Sequence, residues 1–157
     1  MLRISLSGSH CSGKSSLLSL LKEKLNDFQF LDGPTRKLKE KGFEINNQSD
    51  NLDRTQLAAI EFHLVNLAKP LVQSVISDRC ILDAFCYTKY LRNAGKVSEK
   101  CYDIIKDIYI QNIPKMDLIF IQSIDGIPLV ADKDRIEDHE FRNSVNDIFS
   151  IECNRLP

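Results

Sequence analysis

The sequence predicts an α/β protein in which a parallel β-sheet lies between two layers of helices, giving three layers. Short apolar segments of strand character alternate along the chain with longer segments of helical periodicity. This alternation is typical of βαβ units, in which the strands run parallel and the crossovers are right-handed. The continuous apolar run at residues 118–121 supports this class, because strands of a parallel sheet are buried on both faces.

Four segments have the character of strands. The first alternates apolar and polar side chains, and the second ends at the turn sequence Asp-Gly-Pro. The third precedes an Asp-Arg pair, and the fourth is uniformly apolar. The predicted strands are residues 2–7, 28–31, 75–78 and 118–121.

The segments between the strands carry apolar residues at helical spacing. Helices are predicted at about residues 14–26, 34–41, 52–75, 82–93, 98–111 and 140–151. Proline and glycine mark some of their limits, since Pro34 suits a first helical turn, Gly42 stops the same helix and Pro70 breaks or kinks the third. No internal repeat or interdomain linker is visible, so residues 1–157 are expected to form a single domain.

A glycine-rich motif joins the first strand to the first helix. Residues Gly8–Ser15 match G-x-x-x-x-G-K-[ST], in which the glycines let the backbone turn and its N–H groups form an anion nest. Lys14 is expected to reach the β- and γ-phosphates of ATP, and Ser15 to ligate Mg²⁺. The motif therefore predicts a P-loop NTPase fold. The residues expected to hold the nucleotide are Gly8, Ser9, His10, Cys11, Ser12, Gly13, Lys14, Ser15 and Ser16.

Charged residues follow the second and third predicted strands. Asp32 and Arg36 come after the second strand, and Asp78 and Arg79 end the third. In open α/β sheets ligands bind outside the carboxyl ends of the strands, so these residues are expected to share a crevice with Lys14. Arginines there suit an anionic acceptor or the transferring phosphoryl group, and carboxylates suit Mg²⁺ or an acceptor hydroxyl. The alternatives are that Asp32 caps the following helix and that Arg36 is a solvated surface residue.

Three stretches resemble the nucleoside and nucleotide kinase group of P-loop proteins, which includes thymidylate kinase, deoxynucleoside kinases and the AAA-type domain of ribosylnicotinamide kinase. Residues 78–83, followed by Tyr87 and Thr88, resemble the D-R-S-x-L-D…Y-T stretch of the group. Residues 32–36 resemble its E-x-x-R, with Asp for Glu and a spacing altered by one residue. Residues 132–142 resemble its lid and the acidic-aromatic-Arg pattern that follows it. The resemblance covers most of the chain and implies an NMP-kinase-like fold with a short lid at about 126–138.

The resemblance also implies roles for individual residues. Asp78 would sit at the magnesium, Arg79 would touch the transferring phosphates, and Asp32 would act as base or orient the acceptor. Arg135 and Arg142 would close over ATP. The implied catalytic set is Lys14, Asp32, Asp78, Arg79 and Arg135. The residues implied for the acceptor are Asp32, Arg36, Arg79, Asp83, Tyr87 and Arg142.

Two features depart from the pattern of the group. Cys80 stands where the group usually has a small hydroxyl residue. No strand is predicted after the helix at residues 140–151, so either the fold is minimal or the last strand of the group is missing.

Composition limits the partners and the compartment. The formal net charge is −1, from 21 basic and 22 acidic residues, so no strong general attraction to nucleic acid is indicated. Five cysteines without CxxC or zinc-finger spacing predict reduced thiols in the cytoplasm. No apolar run approaches the roughly 20 residues of a membrane span, so no membrane partner is expected. The oligomeric state is not fixed by the sequence, and a homodimer is compatible with it.

The sequence therefore predicts an ATP- and Mg²⁺-dependent kinase that phosphorylates a nucleoside, nucleotide or related small acceptor. Two alternatives remain open at this point. One is a polynucleotide-end or modified-base DNA kinase, for which the lysines at positions 37, 39 and 41 would provide a local basic patch. The other is a nucleotide-binding accessory protein with little turnover.

Overall fold

A sheet of four parallel strands forms the centre of the protein, as seen in the computed structural model, which describes residues 1–45, 51–128 and 138–156. In this part of the chain the strand order is β2-β3-β1-β4. Ile4 of β1 lies opposite Ile76 of β3 on one side and Leu118 of β4 on the other. The strands are β1 (Arg3–Ser7), β2 (Phe28–Leu31), β3 (Ser74–Asp78) and β4 (Leu118–Ile121). The predicted α/β class with a parallel sheet is confirmed.

Helices connect the strands and account for most of the remaining described residues. They are α1 (Lys14–Lys24), α2 (Pro34–Glu40), α3 (Asp53–Ala68), α4 (Ile81–Asn93), α5 (Glu99–Asn112) and α6 (His139–Cys153), with a 3₁₀ turn at Ile113–Lys115. The helical pattern predicted over 52–75 ends at Ala68. Lys69 has an extended ψ of 133°, because a residue before proline is disfavoured in the helical region.

The two faces of the sheet carry separate hydrophobic clusters. One face packs against α1 through Ile4, Leu6, Leu18 and Ile76. The other face packs against a larger cluster built by α3, α4, α5 and α6. The predicted three-layer arrangement is therefore confirmed. None of the described helices is both long and apolar enough to cross a membrane.

Side-chain alternation along β2 decides which residues reach which face. Phe28 and Phe30 pack with the α1 cluster, whereas Leu31 lies on the opposite face, in the wall of a small cavity below α3. Because side chains alternate with a period of two, Asp32 follows Phe28 and Phe30 on the α1 side. This alternation is the reason for the position of the Asp32 carboxylate described below.

His63 of α3 lies in the wall of the same cavity, whose volume is about 30 Å³. Only 4% of the residue is exposed. Burial lowers the pKa of His63 to about 4, with Asp83 opposing this shift and Arg79 adding to it. An unfolded histidine has a pKa near 6.5. Between these values the unfolded state binds more protons than the folded state, so the free energy of unfolding should fall as the pH falls from about 6.5 to about 4.

Replacement of His63 by glutamine should remove this contribution. We expect urea unfolding of His63→Gln to depend less steeply on pH between about 6.5 and 4 than unfolding of the wild type, by at most about 1.4 kcal/mol per pH unit. The exposed His139 provides the control, since His139→Gln should keep the wild-type slope. Equal slopes for wild type and His63→Gln would contradict the buried neutral histidine.

Candidate functional site

The loop between β1 and α1 turns tightly around the start of the helix. Gly8 has φ +132° and Gly13 has φ +82°, conformations that glycine adopts without strain. Cys11, at the apex of the loop, also has a positive φ of +52°. No side chain caps the N-terminus of α1 at Gly13, and its first turn contains no acidic residue. The loop therefore presents backbone N–H groups and the positive end of a helix, which is the arrangement that binds phosphate.

Lys14 lies inside this loop and is only 5% exposed. Its ammonium donates hydrogen bonds to the Gly8 carbonyl at 3.0 Å, to the Ser9 carbonyl and to the Ser12 hydroxyl at 2.8 Å. The Ser9 hydroxyl is buried and has no hydrogen-bond partner within the described residues. A buried cation, free helical N–H groups and an unsatisfied hydroxyl fit the phosphates of a nucleotide.

Gly8 also permits a close approach of two backbone segments. A Cβ atom at this position would lie 2.8 Å from the carbonyl oxygen of Gln122, which follows β4. The Gln122 N–H in turn donates to the Ser7 carbonyl at 2.9 Å, so the two segments cannot separate without losing this bond. The glycine is therefore required both by φ and by space.

Gly8→Ala is expected to lower the free energy of unfolding by about 2–3 kcal/mol, since the substitution combines a positive φ with overpacking against backbone. Gly95 gives a matched control, because it has φ +69° and no atom within 4 Å of an added Cβ. Gly95→Ala should carry only the smaller conformational cost, about 1 kcal/mol. Urea unfolding of both variants measures the difference, and equal losses would contradict the close approach at Gly8.

Asp83, in the first turn of α4, holds the beginning of the loop. Its Oδ1 accepts hydrogen bonds from the Arg79 guanidinium at 3.0 Å and from the Gly8 N–H at 3.3 Å. Its Oδ2 accepts from the Cys80 N–H at 3.0 Å, which closes the first turn of the helix. The residue is 1% exposed. The structure thus places Asp83 behind the loop as part of its support, and its predicted contact with an acceptor stays a prediction.

Arg79 links the third strand to the same support. Its φ of +72° turns the chain out of β3, and its guanidinium donates to the Gly8 carbonyl at 3.1 Å. The guanidinium also lies 5.1 Å from the centre of the Tyr87 ring. Burial raises the pKa of Tyr87, so its hydroxyl stays protonated. The Gly8 carbonyl therefore accepts hydrogen bonds from both Lys14 and Arg79, and two positive charges lie together at the base of the loop.

Asp78 is the last residue of β3. It pairs in register with Leu6 of β1 and is half-buried. A Cβ on Gly33 would lie 2.9 Å from the Asp78 carbonyl oxygen and 3.3 Å from its Oδ2, so the ends of β2 and β3 touch there. The strand ends predicted to converge do so. Within the described residues no three carboxylate, cysteine or histidine side chains form a metal-binding group.

Two predicted acceptor residues, Asp32 and Arg36, are exposed. The Asp32 carboxylate, 75% exposed, pairs with Lys22 of α1 at 3.4 Å, because alternation along β2 directs it to the α1 side. Arg36 is exposed on α2. Neither side chain forms a hydrogen bond or ion pair with the loop in the described part of the chain, so their roles stay predictions. Arg135 and most of the predicted lid fall outside the described residues.

The first turn of α6 reaches the apex of the loop. The ring centre of Phe141 lies 4.8 Å from that of His10. Arg142, predicted to contact substrate, donates to the carbonyls of Cys11 at 3.0 Å and Ile127 at 2.9 Å. The side chain of Ile127 lies over Gly13, 3.7 Å from the position of a Cβ there.

Sequence reasoning missed the two residues after β4 that touch the loop, Gln122 and Ile127. Both follow the carboxyl end of a parallel strand, where ligand sites form, but this position alone does not single out a residue. Gln122 contacts the loop through its backbone, and Ile127 contacts it through an apolar side chain. Neither contact depends on a residue type that is typical of a binding site. No motif could therefore have marked them.

Comparisons with known proteins agree with this fold. A family model described as an AAA domain matches residues 3–157. A solved structure of deoxyadenosine kinase from M. mycoides, with the products dCMP and a flexible dCDP bound, has a TM-score of 0.71 and 15% identity, and the match covers 98% of this chain and 84% of that one. The same enzyme with bound dATP gives a TM-score of 0.65 at 16% identity, over 99% of this chain and 85% of the other.

A structure of NadR protein in complex with NR has a TM-score of 0.67 and 17% identity. The match covers 99% of this chain but 42% of the NadR chain, so the present chain corresponds to less than half of that protein. No sequence among the curated proteins matches. The predicted resemblance to this group of P-loop proteins is confirmed at the level of the fold.

Proposed function

The chain belongs to the AAA domain family, and we propose that it is an ATP-dependent kinase that moves the γ-phosphoryl group to a nucleoside, nucleotide or related small acceptor. The observation that carries the proposal is the loop itself, with Lys14 buried among its carbonyls and the uncapped N-terminus of α1 beside it. The likeness of the fold to deoxyadenosine kinase and NadR supports the acceptor class.

The residues of the loop would bind and orient the triphosphate. The N–H groups of the nest and of the first turn of α1 would receive the phosphate oxygens, and Lys14 would exchange its loop carbonyls for the β- and γ-phosphates. Ser15 is exposed at the start of α1, and Asp78 lies half-buried at the end of β3. We assign them to holding Mg²⁺, which would neutralise phosphate charge when bound.

The acceptor side is assigned to residues beyond the strand ends. Arg79 uses one nitrogen, Nη1, for Gly8 and Asp83, and its remaining N–H groups are assigned to the transferring phosphoryl group. Asp32 is proposed to orient the acceptor hydroxyl. Its exposed pair with Lys22 is 3.4 Å long, and such surface pairs contribute little, so an acceptor could displace it. Arg36 is proposed to bind the acceptor, and Arg135 to close over ATP.

A second candidate is a kinase that acts on polynucleotide ends. The observation in its favour is the composition of α2, which follows the acceptor edge of β2 and carries Arg36, Lys37 and Lys39. Lys37 lies over the Phe62 ring, 5.3 Å from its centre. Affinity for single-stranded DNA that falls steeply with salt would favour this candidate.

The proposal is tested with γ-labelled ATP and a panel of nucleosides, nucleotides and DNA ends. We expect label in one class of small acceptor and a loss of about 10²-fold or more in transfer by Asp78→Ala, since this residue is assigned to the metal. Asp107→Ala, on the exposed side of α5, is the control and should transfer at the wild-type rate. Nucleotide binding without transfer to any acceptor would instead favour an accessory protein. Wild-type transfer by Asp78→Ala would remove Asp78 from the site.

A further inference from the structure

Arg142 is a buried cation that is held by backbone carbonyls of the phosphate loop and of the segment after β4. It is the fourth residue of α6, whose N-cap is Asp138, and 4% of the residue is exposed. Its Nη2 is hydrogen-bonded to the carbonyls of Cys11 and Ile127. Its Nε is buried without a hydrogen-bond partner within the described residues. A buried guanidinium that is satisfied mainly by carbonyls costs desolvation free energy, so an arrangement of this kind calls for a function.

The carbonyl that Arg142 holds belongs to the most unusual residue of the loop. Among the described non-glycine residues, only Cys11 and Arg79 have a positive φ. Left-handed backbone is unfavourable for a residue with a Cβ, so Cys11 keeps this conformation only where the surroundings impose it. The hydrogen bond from Arg142, at 3.0 Å, is one contact that the Cys11 carbonyl makes in this conformation.

Fixing the Cys11 carbonyl also fixes the next N–H group of the loop. The peptide unit is planar and trans, so the Ser12 N–H points away from the carbonyl that Arg142 holds. The Ser12 side chain in turn accepts a hydrogen bond from Lys14 at 2.8 Å. One guanidinium on α6 therefore contacts the peptide unit whose second residue, Ser12, contacts the buried lysine.

The same guanidinium ties this peptide to the chain that follows β4. Ile127 accepts the second hydrogen bond of Nη2 and places its side chain over Gly13, the N-cap of α1. Phe141, the neighbour of Arg142, lies against His10. The apex of the loop, the segment after β4 and the first turns of α6 are thus held together at one point.

We propose that Arg142 is a positioning residue for nucleotide binding, which holds the Cys11–Ser12 peptide of the loop in the orientation that receives phosphate. The inference rests on the proposed function in that the loop binds ATP. It assigns to Arg142 an action through the loop backbone, in place of the direct contact with ATP that the sequence resemblance implied. If Arg142 served only to pack α6, its replacement would not affect ATP binding through Cys11.

The test measures the dissociation constant for ATP by calorimetry in Arg142→Met and Arg142→Lys. Loss of a hydrogen bond from a charged donor should weaken binding by about tenfold or more in Arg142→Met. Arg142→Lys keeps the charge and a donor, so it should recover part of the affinity. Arg155→Met, an exposed arginine two residues after the end of α6, is the matched control and should bind ATP as the wild type does. Wild-type affinity in Arg142→Met would overturn the proposal.

A double-mutant cycle with Cys11→Gly separates positioning from packing. Glycine adopts positive φ without help, so the factor by which Arg142→Met weakens ATP binding should be smaller in the Cys11→Gly background. Equal factors in the two backgrounds would overturn the proposal. Where Arg142→Met fails to fold, the same comparison is made with Arg142→Lys. Intact ATP binding without phosphoryl transfer contradicts the kinase proposal alone and leaves this test valid.

Discussion

Lys14→Met is expected to reduce phosphoryl transfer by about 10²- to 10³-fold, which is the effect of removing one positioned donor from a charged transition state. Lys14 is the buried cation inside the phosphate loop, and its ammonium contacts Gly8, Ser9 and Ser12. Methionine keeps the length and apolar character of the stem, so the change removes the charge and leaves the packing. Transfer of label from γ-labelled ATP, together with calorimetric binding of ATP, measures the loss.

The control for this substitution lies on the same helix. Lys24→Met changes an exposed lysine in the last turn of α1 and should leave transfer and ATP affinity unchanged. A Lys14→Met protein that remains folded by circular dichroism and transfers phosphoryl groups at the wild-type rate would contradict the assignment of the loop to phosphate binding.

Asp83→Ala is expected to have the largest effect on stability, with a loss of about 3–5 kcal/mol in the free energy of unfolding. The carboxylate is buried, and its removal leaves the Arg79 guanidinium without its ion-pair partner at 3.0 Å. It also deprives the N–H groups of Gly8 and Cys80 of their acceptor. Because Gly8 begins the phosphate loop, ATP affinity should fall together with stability.

Urea unfolding measures this loss, and a second substitution identifies its cause. Much of the cost arises from an uncompensated buried charge, so Arg79→Met combined with Asp83→Ala should be less destabilising than the sum of the two single changes. Asp107→Ala, an exposed aspartate on α5, should change the free energy of unfolding by less than about 0.5 kcal/mol. A loss at Asp83 as small as that at Asp107 would show that the cluster behind the loop contributes nothing to stability.

Local features of the fold could be predicted because they depend on neighbouring residues. The strands at Phe28–Leu31 and Leu118–Ile121 have the predicted bounds, since each is a short apolar run between turn residues. The end of α3 before Pro70 follows from the geometry of proline. The phosphate loop is also local, since its shape depends on glycines at fixed spacing.

Other features could not be predicted because they depend on contacts between distant parts of the chain. Gly8 and Asp83 are 75 positions apart, and Cys11 and Arg142 are 131 positions apart. Asp83 and Arg142 were both recognised as candidates for the site. Only the packing of the folded chain decides whether such a side chain faces a ligand or the back of the loop. Asp32 shows the same limit, since its side of the sheet depends on the register of β2.

The sequence by itself determined the layered α/β class, the positions of the strands and the presence of a phosphate loop, because periodicity and glycine spacing act over a few residues. Only the tertiary structure decided what supports that loop. Asp83 and Arg79 hold its beginning, Gln122 closes against Gly8, and Arg142 holds its apex. These contacts satisfy buried polar groups that come together only once the sheet and helices have assembled. The partners are far apart in the chain, so the spacing of residues in the sequence does not reveal them.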